Sequence, residues 1–345
     1  MTDRSGETTS GADLLTIVGY HYIRPIAGSR YPGIKGLEVG AFRTQMRYFS
    51  RHYSFVSIED VVASVETGTP LPAQPLLLTF DDGYMDHYIH ALPILREFVA
   101  PGAFYPTTAA VLEHRVLDAN KIQFILASLS NPHVLVEAIE GAVTEADIGT
   151  STMTPRDYRA QYWVGNRFDP APVLYCKQLL QHALPEPVRR ATVDALFARF
   201  VTHDESSFAA ELYLGVSELQ EMHAAGMHVG GHGGRHAWLD RLTAEEQRQD
   251  LEDSLRLLRS VWGGKDEQCL TFCYPYGGYN RDTLDLLRQM NCRAGLTVRP
   301  DLAQLSTDCM LELPRLDTTD FPTDPDEPPG LWTLRAQATE PRVCE

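Results

Sequence analysis

Residues 76–84 read LLLTFDDGY. Three leucines, a threonine and a phenylalanine run straight into two adjacent aspartates and a glycine. An apolar run without polar alternation fits a strand covered on both faces, as in a parallel sheet. A charge at the end of such a run is costly unless it is paired, hydrogen-bonded or bound to a metal. Asp81 and Asp82 therefore either close a surface turn or end a core strand because chemistry needs them there.

The flanking sequence repeats the pattern. LLTIVGYHYI (14–23) reads as a buried strand, and a loop with Pro25, Gly28, Pro32, Gly33 and Gly36 follows it. VGAFRTQMRYFSRHY (39–53) has apolar residues at helical spacing, and SFVSI (54–58) is a short strand. SIEDVVASVETG (57–68) starts with Ser57 and Glu59/Asp60 and stops at Gly68, as a helix does. YIHALPILREF (88–98) is helical in spite of Pro93, and GAFYPTT (102–108) is a strand. Residues 114–215 break this alternation with helical segments, which predicts a mainly helical insertion. The alternation then resumes through VSELQEMHAAG, MHVGGH, the helix over 243–263, CLTFCYPYG, RDTLDLLRQMNC, AGLTV and MLELPRL. Strands alternating with helices predict an α/β barrel or a doubly wound sheet. Residues 1–13 are polar and read as disordered, and residues 321–345 read as a tail.

Composition bounds the function. The chain has 345 residues and a formal net charge of −16. A phosphate backbone would be repelled by it, so no nucleic-acid partner is expected. Six cysteines form no CxxC pair, which fits reduced thiols in a reducing compartment. The N-terminal sequence has no signal-peptide pattern, and no apolar run is long enough to span a bilayer. A cytoplasmic location is the expectation.

In parallel α/β sheets, functional groups collect at the carboxyl ends of strands. Four such ends stand out: Asp81-Asp82-Gly83, His232-Gly-Gly-Arg-His236, Pro275-Tyr276-Gly277, and Arg315 with Asp317. HxxxH sets two imidazoles one turn apart, a separation that suits one metal ion, but twelve histidines make a chance pair unsurprising. His228 even forms a second HxxxH with His232. The coincidence of an acidic pair and a histidine pair at strand ends carries more weight. One carboxylate and two histidines make a ligand set with open positions, and the second carboxylate is left as a general base. Trp238, Tyr84 and Tyr279 are candidates to border a saccharide, against the plainer reading of packed aromatics.

TFDDG (79–83), GGHGGRH (230–236) and FCYPYGGYN (272–280) resemble the first three motifs of the polysaccharide deacetylases of NodB homology. The resemblance covers roughly 14–113 and 216–320. It implies a distorted (β/α) barrel, here with a helical insertion, and removal of acetyl groups from sugars with zinc or another divalent metal (Co2+, Ni2+ or Mn2+). Carried over, Asp81 is the catalytic base, Asp82, His232 and His236 are the metal ligands, and the Tyr276 backbone N–H serves the oxyanion. Three departures stand out. Cys273 occupies the place of the arginine that usually orients the base, and Arg315 is the candidate replacement. No histidine follows His236 to act as the late general acid; GLTVRPD offers only Arg299, and His21 is the candidate for polar work in the site. The insertion is extra to the basic fold and offers a lid, a specificity wall or a surface for self-association. The expected function is de-N-acylation of an amino sugar, sugar nucleotide or other small or lipid-linked saccharide. Two alternatives stay open: a deformylase or amidase acting on a non-sugar C–N bond, and a degenerate carbohydrate-binding protein.

Overall fold

The computed structural model describes residues 14–145, 153–166, 169–264 and 269–338. These divide into two compact units, one drawn from 14–24, 37–113 and 212–338, the other from 25–36 and 114–211. The N-terminal stretch read as disordered lies outside the described residues.

The first unit begins with β1 (Leu14–Tyr20), α1 (Val39–His52), β2 (Ser54–Phe55), α2 (Ile58–Thr67), β3 (Pro75–Asp82), α3 (Leu92–Glu97), β4 (Gly102–Pro106) and α4 (Thr108–Leu112). The chain then builds the second unit from α5 (Asp118–Ala127), α6 (Pro132–Glu145), α7 (Pro155–Tyr162), α8 (Ala171–Gln178), α9 (Glu186–Phe200) and α10 (Glu205–Leu212). It returns with α11 (Val216–Ala224), β5 (His228–Val229), α12 (Ala244–Val261), β6 (Thr271–Cys273), α13 (Arg281–Gln289), β7 (Ala294–Leu296), β8 (Ala303–Gln304), β9 (Leu316–Asp317) and α14 (Leu331–Gln337).

LLLTFDD is β3, buried along its whole length. It pairs in parallel with β1, β4 and β2, and β1 in turn pairs with β9 in parallel and β8 antiparallel. The main sheet runs β5-β4-β3-β1-β8, and β6-β7 form a second, two-stranded sheet. Single bridges join Gly231 to Phe272 and Leu296 to Leu313. Among the described residues, continuous ladders therefore do not close the strands into one barrel. The glycine- and proline-rich stretches 230–236 and 274–278 explain the gaps, because strands need regular donors and extended backbone on both sides.

Alternation along β3 sorts its residues onto two faces. Leu76, Leu78 and Phe80 pack in one cluster with Phe42, Met46 and Phe49 of α1. The Phe80 ring stacks on Tyr20 at 5.1 Å and on Phe104 at 4.6 Å. Burying one such ring is worth roughly 1.5–3 kcal/mol. Leu77 lies in the other cluster, with Ile17, Tyr105, Cys273 and Leu296. Asp81 follows Leu77 and Thr79 by period two, and so shares that inner face.

Local chemistry sets the helix ends. Ser57 and Asp60 form a reciprocal capping box on α2, and Gly68 ends it at φ +73°. Thr243 and Glu246 do the same for α12. Pro93 is tolerated because a π-helical turn over His87–Ala91 precedes α3 and leaves the proline in its first turn. Two segments depart from the sequence reading. Residues 275–277 form a 3-10 turn rather than strand, and within the expected tail α14 buries Thr333, whose hydroxyl meets Tyr48 and Tyr53.

The second unit is helical. Phe208 meets Phe124 at 4.9 Å and Phe197 at 5.4 Å, both edge-on, and Tyr31 from the 25–36 segment adds its edge to Phe124 at 4.9 Å. Its buried cation, Lys121, is bound by Asp194 and Glu205. No helix among the described residues is long and apolar enough to cross a membrane.

Candidate metal centre

β3 ends on Asp81 and Asp82, and the two carboxylates have different surroundings. Asp81 keeps the inner face. Arg315, just before β9, grips it with two parallel bonds, Nη1 to Oδ1 at 2.8 Å and Nη2 to Oδ2 at 2.7 Å. The remaining arginine donors reach Thr79 Oγ1 at 3.1 Å and the Thr297 carbonyl at 2.9 Å. The Cys273 thiol donates to Asp81 Oδ2 at 3.4 Å. Burial pushes the Asp81 carboxyl up, but the Arg315 charge and hydrogen bonds outweigh it and hold the group well below the usual carboxylate range. Asp81 is therefore ionised at neutral pH.

Strand alternation alone would turn Asp82 to the opposite face. Its φ of +68°, followed by +73° at Gly83, breaks the alternation. An aspartate tolerates this left-handed geometry at a cost of roughly 1–2 kcal/mol. Gly83 has no substitute here, since a Cβ would come within 2.7 Å of Pro106 on β4. Asp82 Oδ2 accepts the Tyr84 hydroxyl at 2.5 Å, while Oδ1 is buried without a hydrogen-bond partner among the described residues.

The two histidines converge on that oxygen. Nε2 of His232 lies 3.5 Å from Asp82 Oδ1, and Nε2 of His236 lies 3.3 Å from it. His232 donates its Nδ1 proton to the Cys273 carbonyl at 2.7 Å, which turns Nε2 toward the aspartate. Burial drives the His236 ring down to about 4, so it is neutral at neutral pH. For His232, burial works against the charged form, but Cys273 and Asp82 outweigh it and raise the ring above its ordinary value. The residues fit a divalent cation: one carboxylate oxygen and two imidazole nitrogens, all buried, with ligand atoms within 4.8 Å of one another. The orphaned Asp82 oxygen is the acceptor such an ion would satisfy.

HxxxH suggests helical spacing, but residues 232–236 form no helix, and His236 has φ +54°. The loop brings the rings to 4.9 Å between centroids, edge to face. His236 also meets the Tyr276 ring at 4.4 Å, and Tyr276 stacks on Trp238 at 4.6 Å with 6° between planes. Tyr276 itself has φ +57°. Three non-glycine residues in left-handed conformations thus meet at one place, as strained backbone does at functional sites.

His21 follows β1 and lies beside Asp81, with Nε2 4.0 Å from Oδ2 and a side chain 53% exposed. His87 donates from Nε2 to its carbonyl at 2.8 Å, and Arg24 close by forks onto Asp86 at 2.6 and 2.9 Å. The tail of the DDGYMDH run thus fastens the loop that carries His21.

The structure brings Asp81, Asp82, His232, His236, Tyr276, Arg315 and His21 together. Other candidates lie elsewhere or do other work. His228 binds Glu59 and Thr271 at the start of β5. Tyr84 is fully buried and cannot border a ligand, Tyr279 donates to Glu312, and Trp238 backs Tyr276. The sequence reading misses Tyr84 as the partner of Asp82 and Thr79 as a partner of Arg315; for Thr79 the signal was a hydroxyl inside an otherwise apolar strand.

A polysaccharide deacetylase family model matches residues 190–295, a stretch that includes both histidines and the CYPYG segment. Poly-beta-1,6-N-acetyl-D-glucosamine N-deacetylase of Escherichia coli strain K12 is 35% identical over 71 residues, which is 20% of this chain and 11% of that protein. The chain thus matches only about a tenth of that relative's length. A Streptococcus pyogenes deacetylase, PplD, solved in complex with acetate, superposes with a TM-score of 0.56 at 17% identity, covering 96% of this chain and 100% of that one. IcaB from Ammonifex degensii superposes at 0.55 with 17% identity, covering 94% and 98%. At these identities the likeness is one of fold, and it is the α/β fold the sequence motifs implied, with the closed barrel not formed by continuous ladders among the described residues.

Proposed function

We propose that the chain is a divalent-metal-dependent de-N-acylase acting on an amino-sugar residue of a saccharide. The observation that carries the reading is the convergence of two histidine Nε2 atoms on a buried, unpartnered Asp82 oxygen, beside a second aspartate that an arginine keeps ionised.

Asp82, His232 and His236 hold the cation, with Zn2+ the first choice for an N,N,O ligand set and Co2+, Ni2+ or Mn2+ as substitutes. When bound, it supplies Lewis acidity to the acyl carbonyl and lowers the pKa of water. Asp81 takes a proton from the attacking water as its oxygen bonds to the acyl carbon. Arg315 fixes the direction of that carboxylate. The Tyr276 N–H, in its turn between Pro275 and Gly277, donates to the oxygen on which negative charge develops. The C–N bond then breaks, and His21 gives the leaving nitrogen its proton. The products are a carboxylic acid, which loses its remaining proton to solvent, and a free amine.

The Escherichia coli relative is named for an N-acetylglucosamine polymer, so oligomers of that sugar are the first substrates to test, with sugar nucleotides and lipid-linked saccharides next. The assay measures acetate release by metal-loaded protein and by Asp81→Asn. Turnover that falls about 10²–10⁴-fold in the variant supports the reading. Unchanged turnover in the variant rejects it. Turnover of formyl or cyclic amides but of no acetylated amino sugar would move the activity to a non-sugar amide.

A further inference from the structure

We propose that Asp250, on α12 and outside the ligand set, is a positioning residue that fixes the backbone between His232 and His236. The inference rests on the cation reading above. A loop has no i→i−4 bonds of its own, so the groups that a helical HxxxH would satisfy internally need other partners. Asp250 supplies them. Its Oδ2 accepts the Gly234 N–H at 2.9 Å and its Oδ1 accepts the Arg235 N–H at 3.0 Å. The opposite side of the loop is held by α4. The Thr108 and Ala109 amides, which have no partner inside their own helix, donate to the Gly233 and Gly234 carbonyls at 3.3 and 2.8 Å.

The two glycines of GGRH are shaped to this contact. Gly233 has φ +76°, and a Cβ on it would lie 2.6 Å from Asp250 Oδ2. One on Gly234 would lie 3.1 Å from Oδ1 and 2.9 Å from Asp253 Cβ. Bare backbone at both positions lets the carboxylate reach in. Asp250 itself is fully buried on the stripe Gln247, Asp250, Leu251, Ser254, Leu257, Leu258 and Val261 that α12 turns inward. A carboxylate on that stripe is expensive, and the two loop amides are what it serves.

An asparagine keeps the size of this side chain but accepts only one of the two bonds and points its own donors at the other N–H. The test is a Co2+ titration of metal-free protein by calorimetry and visible absorption, with thermal melts as the check on folding. Asp253→Asn, on the same helix, is the control. Wild type and control are expected to bind one Co2+ per chain. Asp250→Asn and Asp250→Ala should bind about 10–100-fold more weakly, with an altered Co2+ spectrum, while still melting cooperatively. A folded Asp250 variant with unchanged affinity and spectrum overturns the inference alone. If wild type binds no Co2+, the cation reading falls and takes the inference with it. If even the near-isosteric asparagine variant does not fold, Asp250 is structural only and the proposal is wrong.

Discussion

Arg315 in the first unit and Lys121 in the second are both buried, at 6% and 1% exposure, and carboxylates hold both. Their surroundings differ. Lys121 on α5 meets Asp194 of α9 at 2.5 Å and Glu205 of α10 at 2.9 Å, and its Nζ lies over the Phe197 ring at 5.6 Å. Its partners are partly exposed, so water reaches the far side of the network. Its two hydrogen bonds tie α5 to α9 and α10. Arg315 and Asp81 are buried together, and Asp82 beside them keeps an oxygen that no described group satisfies. A closed network stabilises a fold, whereas a buried network with a vacant acceptor and strained backbone is a candidate for chemistry.

The comparison breaks most sharply at Arg315. Arg315→Met leaves the Asp81 carboxylate buried and uncompensated, with an expected cost of about 3–5 kcal/mol in urea unfolding. Adding Asp81→Leu should restore most of that stability and none of the activity. If the single variant costs under about 1 kcal/mol, Asp81 is better solvated than its burial implies. Lys121→Met, by contrast, frees carboxylates that can turn to water, and about 1.5–3 kcal/mol is expected, with the metal affinity of the protein unchanged.

Next in size is the response to acid. The Asp81 carboxyl is lowered on folding, so the unfolded chain binds its proton more readily. Its contribution to stability is then present above the unfolded value of about 4 and is lost as pH falls through the range below it. Urea midpoints from pH 7 to pH 3 should fall less steeply in the Arg315→Met/Asp81→Leu double variant than in wild type. Parallel curves would show that other carboxylates dominate acid unfolding.

The smallest effects test the accessory groups. His21→Gln should lower kcat on an acetylated amino sugar by about 10²-fold, the low end for a missing proton donor. Cys273→Ala removes only a weak thiol donor from Asp81 and should leave kcat within about threefold. A larger loss there would mean that the thiol orients the base as much as Arg315 does.

Much of the site was legible because it sits where strand periodicity stops. LLLTFDDGY reports a buried strand and two charges at its end without any knowledge of neighbours. The pairing of Arg315 with Asp81 was legible only as a candidate, because 234 residues separate them and β9 is a two-residue strand that leaves almost no periodic signal. HxxxH pointed to two histidines that do converge on Asp82, but from a loop and not a helix, since spacing alone does not distinguish a helical turn from a glycine loop held from outside. Asp250 left a trace, a carboxylate on the apolar stripe of TAEEQRQDLEDSLRLLRSV, but its partners are backbone amides, which no sequence pattern displays. The 25–36 segment shows no periodicity, and it joins the second unit through contacts distant in sequence, such as Tyr31 with Phe124 and Lys35 with Asp169.

The division of labour between the two aspartates is the central claim, and divalent-metal titration of Asp81→Asn and Asp82→Asn tests it most directly. Wild type and Asp81→Asn should each take up one Zn2+ per chain with similar affinity, and Asp82→Asn should bind far more weakly. Equal loss in both variants, or an unimpaired Asp82→Asn, would contradict the assignment of base and ligand.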